Sequence, residues 1–266
     1  MKSHKIPFII LAGLLVLPLG ASKDKVITSR WTAAPVAVDG QTTEWAPEEI
    51  VAEESVGAKI AVRNDASHVY VMLSLDDPQF QSTAEQTGIT FWINPAMKTK
   101  KVHGIKFYRK TITADELIQL IKSRGQELFA EKEAELKAQP QYLHFACDPV
   151  NKKGEIVPRP GQAETATYRL SRVQQAMVYE FVIPLALLDD PENEVKVDPA
   201  KPFKFGVEWG GVTEEIKQMR LAQFEGGADM SGGGLGEYST EDYLAARQSG
   251  PQVYSFWVDL RLAPGK

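Results

Sequence analysis

Apolar side chains recur at every second position in segment after segment of this chain, and that period of two restricts its fold more than any other feature. Ile60 and Val62 share one face of Lys59–Val62, Asn64–Ser67 supplies turn-forming residues, and Val69, Val71, Leu73 and Leu75 then alternate with Tyr70, Met72 and Ser74. Two alternating runs around an Asn-Asp-Ala-Ser turn predict a hairpin. The same period runs through Gly88–Ile93, where Ile89, Phe91 and Ile93 oppose Thr90 and Trp92, and through Gly104–Tyr108. It returns in Gln175–Ile183, in Phe203–Trp209, and in Gln252–Leu262, where Tyr254, Phe256, Val258 and Leu260 oppose Ser255 and Asp259. Tyr142–Cys147 and Glu164–Leu170 carry weaker versions.

One segment breaks the pattern. Thr113 followed by Glu116 is a capping box, and Leu117, Leu120, Ile121, Leu128 and Leu136 recur near helical spacing. The spacing predicts a helical insertion at about 113–138, divided at Gly125. Gln81–Gln86 reads as a loop. A parallel α/β fold needs helices between most strands, and this chain offers about one. The predicted fold is therefore all-β: an immunoglobulin-like or jelly-roll-like antiparallel β-sandwich carrying that insertion, as a single domain over residues 25–266. The glycines at 226, 227, 232, 233, 234 and 236 lack the lysine and the strand–helix setting of a phosphate loop and read as a long surface loop.

The N-terminus has its own pattern. Lys2 and Lys5 precede an uncharged apolar run from Ile6 to Leu19, and small residues follow at Gly20, Ala21 and Ser22. This is the three-part form of a secretory signal peptide over residues 1–21, and the run falls short of the roughly 20 apolar residues that span a bilayer. The expected location is the periplasm or the extracellular space, with no membrane span after cleavage. The formal charge of −5 over 266 residues becomes −7 once Lys2 and Lys5 are removed, leaving 28 basic against 35 acidic side chains. That balance, with no basic residues interleaved among aromatics, argues against a nucleic-acid partner. Cys147 is the one cysteine, which excludes intramolecular disulfides and multi-thiolate metal sites. It reads as a small buried hydrophobe.

Five short motifs stand in a telling order. They are Val38-Asp39-Gly40 with Thr43-Glu44-Trp45; Asn64-Asp65 with His68-Val69-Tyr70-Val71; Phe91-Trp92-Ile93-Asn94-Pro95; Tyr179-Glu180-Phe181-Val182-Ile183-Pro184; and Phe205-Gly206-Val207-Glu208-Trp209. Across about Trp31 to Leu260 this order resembles the ninth family of carbohydrate-binding modules, a β-sandwich group related to haem-binding DOMON-type domains. The resemblance implies an exported, non-catalytic protein that binds a glycan or polysaccharide. It also implies that any glycoside-hydrolase association is indirect. Within such a sandwich Trp45 reads as a core anchor and Glu180 as a structural carboxylate bonded to backbone or to an arginine near the sandwich edge.

A sugar ligand needs flat rings for its C–H faces and polar side chains for its hydroxyls. The candidate ligand-binding residues are Trp92 and Trp209, with Tyr108 and Tyr70 extending the same face. Each tryptophan has a second reading as core, and both being sealed from water would end the proposal of a ligand on them. Asp76 and Asp77 are the candidate metal ligands, for calcium, with Asp189, Asp190 and Glu192 as a second acidic group. No obligatory cofactor is implied. The resemblance to haem-binding sandwiches implies one alternative, a periplasmic electron-transfer subunit holding non-covalent haem b through Met72, Met97 or Met177 with Lys204 or Lys106, and the other is a structural or interaction domain without a small ligand, whose partner is another protein. Glu180 and Glu208 are the one strand-borne pair of acids worth weighing for glycoside hydrolysis, and edge ion pairs are the plainer reading.

Overall fold

The computed structural model describes residues 25–123, 125–157, 165–190, 195–211 and 252–265. The segment read as a signal peptide, the glycine-rich segment and Glu192 lie outside these residues. Two sheets face each other. The first is six-stranded. In spatial order it holds β1 (Lys25–Thr28), β12 (Val253–Arg261), β11 (Phe203–Gly210), β6 (Ile89–Asn94), β7 (His103–Thr113) and β8 (Gln141–Asn151). The second runs β2 (Arg30–Trp31), β4 (Ala58–Asn64), β5 (His68–Leu75), β10 (Ala176–Pro184) and β9 (Thr167–Val173), with β3 (Val51–Glu53) also paired to β4. No helix among the described residues is long and apolar enough to cross a membrane.

Alternation decides which side chains fill the space between the sheets. Val69, Val71, Leu73 and Leu75 of β5 meet Phe91 and Ile93 of β6, Phe205 and Val207 of β11, and Phe181 and Ile183 of β10 in one buried cluster. The centre is aromatic. Phe91 lies 4.6 Å from Phe181 and 5.0 Å from Phe205, ring centre to ring centre, and Phe107 lies 4.7 Å from Phe181. The β4–β5 hairpin pairs Val62 with Val71, and its turn is held by Asp65. That carboxylate accepts from the backbone N–H of Ser67 and His68 at 2.7 Å and from the Tyr70 hydroxyl at 2.6 Å.

The sandwich departs from the all-antiparallel expectation at two edges. β1 runs parallel to β12, and β2 runs parallel to β4. One continuous entry segment causes both. It adds an edge strand to the first sheet, turns at Ser29, and adds an edge to the second. Ser29 holds the junction: its N–H donates to Arg261 O at 2.9 Å, and its hydroxyl, with Asn64 Oδ1, accepts from Ala263 N.

The helical insertion is present, as α2 (Ala114–Ser123) and α3 (Ala130–Lys137) with Gly125 at positive φ between them. The capping box forms, with Glu116 N donating to Thr113 Oγ1 and Thr113 N donating to Glu116 Oε2 at 2.7 Å. Gln81–Gln86, read as a loop, is helical within α1 (Pro78–Thr87). Asp77 caps it through Gln79 N at 2.7 Å and Pro78 occupies the first turn.

Candidate functional site

Both outer faces of the sandwich carry side chains named above, and they differ in what covers them. On the second sheet, Trp45, Ala61, Tyr70, Met72 and Val178 form a separate buried cluster, roofed by the segment that leads from β2 to β3. Glu180 is the hub of that roof. It is buried, and it accepts from Asp39 N at 2.9 Å, Gly40 N at 2.7 Å and Trp45 Nε1 at 2.6 Å. Gly40 has φ +81°, and a β-carbon there would stand 2.9 Å from Ser171 N, so the Asp39-Gly40 turn needs its glycine. Burial pushes the Glu180 carboxyl above its ordinary value, against the hydrogen bonds that hold the anion. Asp39, Glu44 and Glu180 form the group of acids that comes close enough to share an ion among the described residues. Both Glu180 oxygens already take N–H donors, which makes Glu180 an anchor for the roof.

The four ring candidates do not share a face. Trp209, 2% exposed, points into the sandwich and stacks on Tyr254 at 5.8 Å beside Phe80 of α1. Tyr70, also 2% exposed, lies under the roof of the second sheet with its hydroxyl on Asp65. Trp92 and Tyr108 sit on the outer face of the first sheet, but Trp92 too is only 2% exposed. The expectation of Trp92 and Trp209 as paired open platforms is therefore corrected. Their strands turn them to opposite sides of one sheet, and neither presents a free ring. The proposed calcium ligands diverge as well. Asp77 is spent on the α1 cap, and Asp76 pairs with Lys59 at 2.6 Å. The haem candidates scatter: Met177 faces the inner core, Met72 the roofed cluster, and Lys204 pairs with Asp259 on the far sheet. Glu180 and Glu208 stand on opposite outer faces.

What the first sheet brings together on its outer face is a row of rings seated on glycines. Trp257 of β12 lies opposite Gly206 of β11, which lies opposite Trp92 of β6, which lies opposite Gly104 of β7. Three atoms of the Trp257 ring (Cδ2, Cε2 and Cε3) stand 2.9 Å from where a β-carbon on Gly206 would be, so the indole lies face-down on the β11 backbone. Trp92 does the same at Gly104, its Cε3 at 2.8 Å. Any side chain at Gly104 or Gly206 would lift these rings. Trp257 is partly exposed, and the sequence reading passed over it. The signal was there: it alternates with Phe256 and Val258, so it faces outward.

Polar rows flank the rings. On one side run Ser255, Glu208, Thr90, Lys106 and Asp148, on five neighbouring strands. On the other run Asp259, Lys204 and Asn94. The pairs are knit: Lys101 donates to Glu208 at 2.7 Å, Lys204 contacts Asp259 at 2.5 Å, Tyr108 donates to Asp148 at 2.8 Å, and Lys106 sits 5.3 Å over the Tyr108 ring. A shallow recess of about 650 Å³ on the second sheet, lined by Thr42, Lys59, Ser74, Asp76, Gln174 and Val178, has no aromatic ring. Cys147 packs against the inner core, and burial pushes its thiol up to about 12, so it is no nucleophile near neutrality.

No protein-family model matches the chain, and no curated protein matches it by sequence. Among solved structures, two from Caldicellulosiruptor kristjanssonii align over 91% of this chain; both are carbohydrate binding modules of family 9. The one in complex with glucose is covered over 97% of its length at 9% identity, with a TM-score of 0.38. The one in complex with cellotriose is covered over 95% at 10% identity, with a TM-score of 0.39. They belong to the family that the order of short motifs resembles. With TM-scores below 0.5, neither alignment adds to the fold or the site as read from the strands and side chains themselves.

Proposed function

We propose that this protein is an exported, non-catalytic carbohydrate-binding protein whose glycan lies on the outer face of the six-stranded sheet. The observation that carries the reading is Trp257, a partly exposed indole laid flat on Gly206 with ionisable side chains on both flanks. A ring held this way offers its free face to sugar C–H groups at little entropic cost, because the strand and the glycine already fix it. Ser255 and Asp259, on the same outer face of β12 as Trp257, supply a hydroxyl and a carboxylate for sugar hydroxyls at the rim. Tyr108 provides a second, smaller ring further along the face. Export would put this face where polysaccharides are found.

The test is titration of the purified protein with soluble glycans, starting with glucose and cellotriose, followed by tryptophan fluorescence and calorimetry. Trp257→Ala should keep the fold, since the ring rests on the surface, and weaken binding about tenfold. A protein that binds no glycan, or a Trp257→Ala variant that binds as tightly as the parent, would overturn the proposal.

A further inference from the structure

Trp92 belongs to the same row as Trp257 yet is buried, and one exposed side chain, Lys101, lies over its ring. Lys101 lies in the connection between β6 and β7, which Asn94 braces by donating from Nδ2 to Lys100 O at 2.8 Å. From there the Lys101 side chain crosses the indole, its ammonium 5.0 Å from the Trp92 ring centre, and reaches Glu208 on β11. The lysine is 42% exposed and the glutamate 17%, so the ion pair is wet and weak. The Trp92 indole N–H is itself buried with no hydrogen-bond acceptor. A buried donor without an acceptor is costly to leave so, and it is the kind of group that an incoming oxygen would satisfy.

We propose that Trp92 is a second, latched subsite of this face: Lys101 swings off the ring, and a hydroxyl or ring oxygen of a neutral polyhydroxylated ligand takes the Nε1 hydrogen bond. The inference rests on the glycan reading above for its ligand, while the latch is a property of the free protein. Gly206, between Trp92 and Trp257 in the cross-strand row, leaves no side chain to separate a ligand on one ring from the other. A chain of more than one sugar would therefore touch both, and a monosaccharide only Trp257. Salt should help open the latch, because it screens the Lys101–Glu208 pair.

The experiment uses the full chain carrying Trp257→Phe, to remove the neighbouring emitter, and compares it with the same protein also carrying Lys101→Ala, Glu208→Gln or Trp92→Phe. Acrylamide quenching is read first. Opening the latch from either side should raise quenching at least twofold, and the rise should vanish when Trp92→Phe is added. Unchanged quenching in both latch variants overturns the proposal. Cellotriose and glucose titrations are read next, on the chain with Trp257 intact. Lys101→Ala should tighten cellotriose several-fold and leave glucose unmoved, and Trp92→Phe should cancel the gain. Cellotriose binding that is the same in parent, Lys101→Ala and Trp92→Phe sinks the subsite and leaves the Trp257 site standing. If the parent binds neither sugar, the glycan reading falls and takes the subsite with it, while quenching still decides the latch.

Discussion

Trp45 shows how one side chain can hold a whole surface in place. It is 4% exposed, packs with Tyr70, Met72 and Val178 on the outside of the second sheet, and donates its indole N–H to the Glu180 carboxylate. Arg63 lies over the ring at 5.1 Å and reaches Glu49 and the Glu44 carbonyl, so the same residues fix the roof from its other end. Truncating Trp45 leaves a cavity and removes one of three donors from a buried anion. Trp45→Ala should cost about 3–5 kcal/mol, read as a lower midpoint in urea unfolding with an unchanged slope. An unchanged midpoint would mean that the roof is not coupled to the sheet beneath it. Trp92, Trp209 and Trp257 illustrate what single residues reveal in a sequence. Alternation alone puts Trp209 on the face of Phe205 and Val207, which is the inner one. The same rule puts Trp257 outside. What no one-dimensional pattern carries is the cover: Lys101 is nine residues from Trp92 and only the fold of the β6–β7 connection lays one on the other.

At the scale of elements, the strands that alternate over several residues are legible, because a period of two needs length to show. β5, β6, β10, β11 and β12 all satisfy that. The edge strands β1 and β2 do not: four and two residues hold no period, and their parallel direction is set by where the chain enters. The helix α1 escapes a search for apolar spacing because Pro78–Thr87 is mostly polar; its Asp-Pro start is the usable signal. The insertion is legible through its first turn. In that turn Thr113 and Glu116 exchange hydrogen bonds at the point where β7 becomes α2, so the cap decides where strand ends and helix begins. Thr113→Ala should remove about 0.5–2 kcal/mol of local stability. Faster amide exchange across 114–123, with β5 and β6 unaffected, is the expected result; protection equal to the parent would show that packing against β7 and β8 holds α2 without its cap.

The whole molecule is acidic, and its carboxylates are not alike, so its acid limb can be argued from their environments. Burial alone would raise Glu49, but hydrogen bonds from Arg63 and Arg30 outweigh it and hold its carboxyl below the ordinary 4.5. Glu53 is lowered in the same way, burial being outweighed by Ser55 and Lys25. Asp65 is held below 3.8, its burial outweighed by the Tyr70 hydroxyl and the N–H groups of Ser67 and His68. Each of these is protonated more readily in the unfolded chain than in the folded one. Their stabilisation is therefore complete above the ordinary values of 3.8 to 4.5 and drains away as pH falls through the lower folded values. Glu180 works in the opposite sense: raised chiefly by burial, it takes up its proton earlier when folded, and adds stability as pH falls through its folded value. These three, with the exposed Glu116 and Asp198 also held low by hydrogen bonds, stand against one raised carboxylate among the described residues, which predicts a net loss on acidification below pH 4.5. Glu49→Gln should flatten that loss, because it deletes a group that titrates at different pH in the two states, although it weakens the protein at neutral pH where Arg63 loses its partner. The measurement is denaturant stability of both proteins from neutrality down to about pH 3. Two curves that fall in parallel below pH 4.5 would show that the Glu49–Arg63 pair contributes nothing to acid sensitivity, and that the acid limb belongs to the remaining carboxylates.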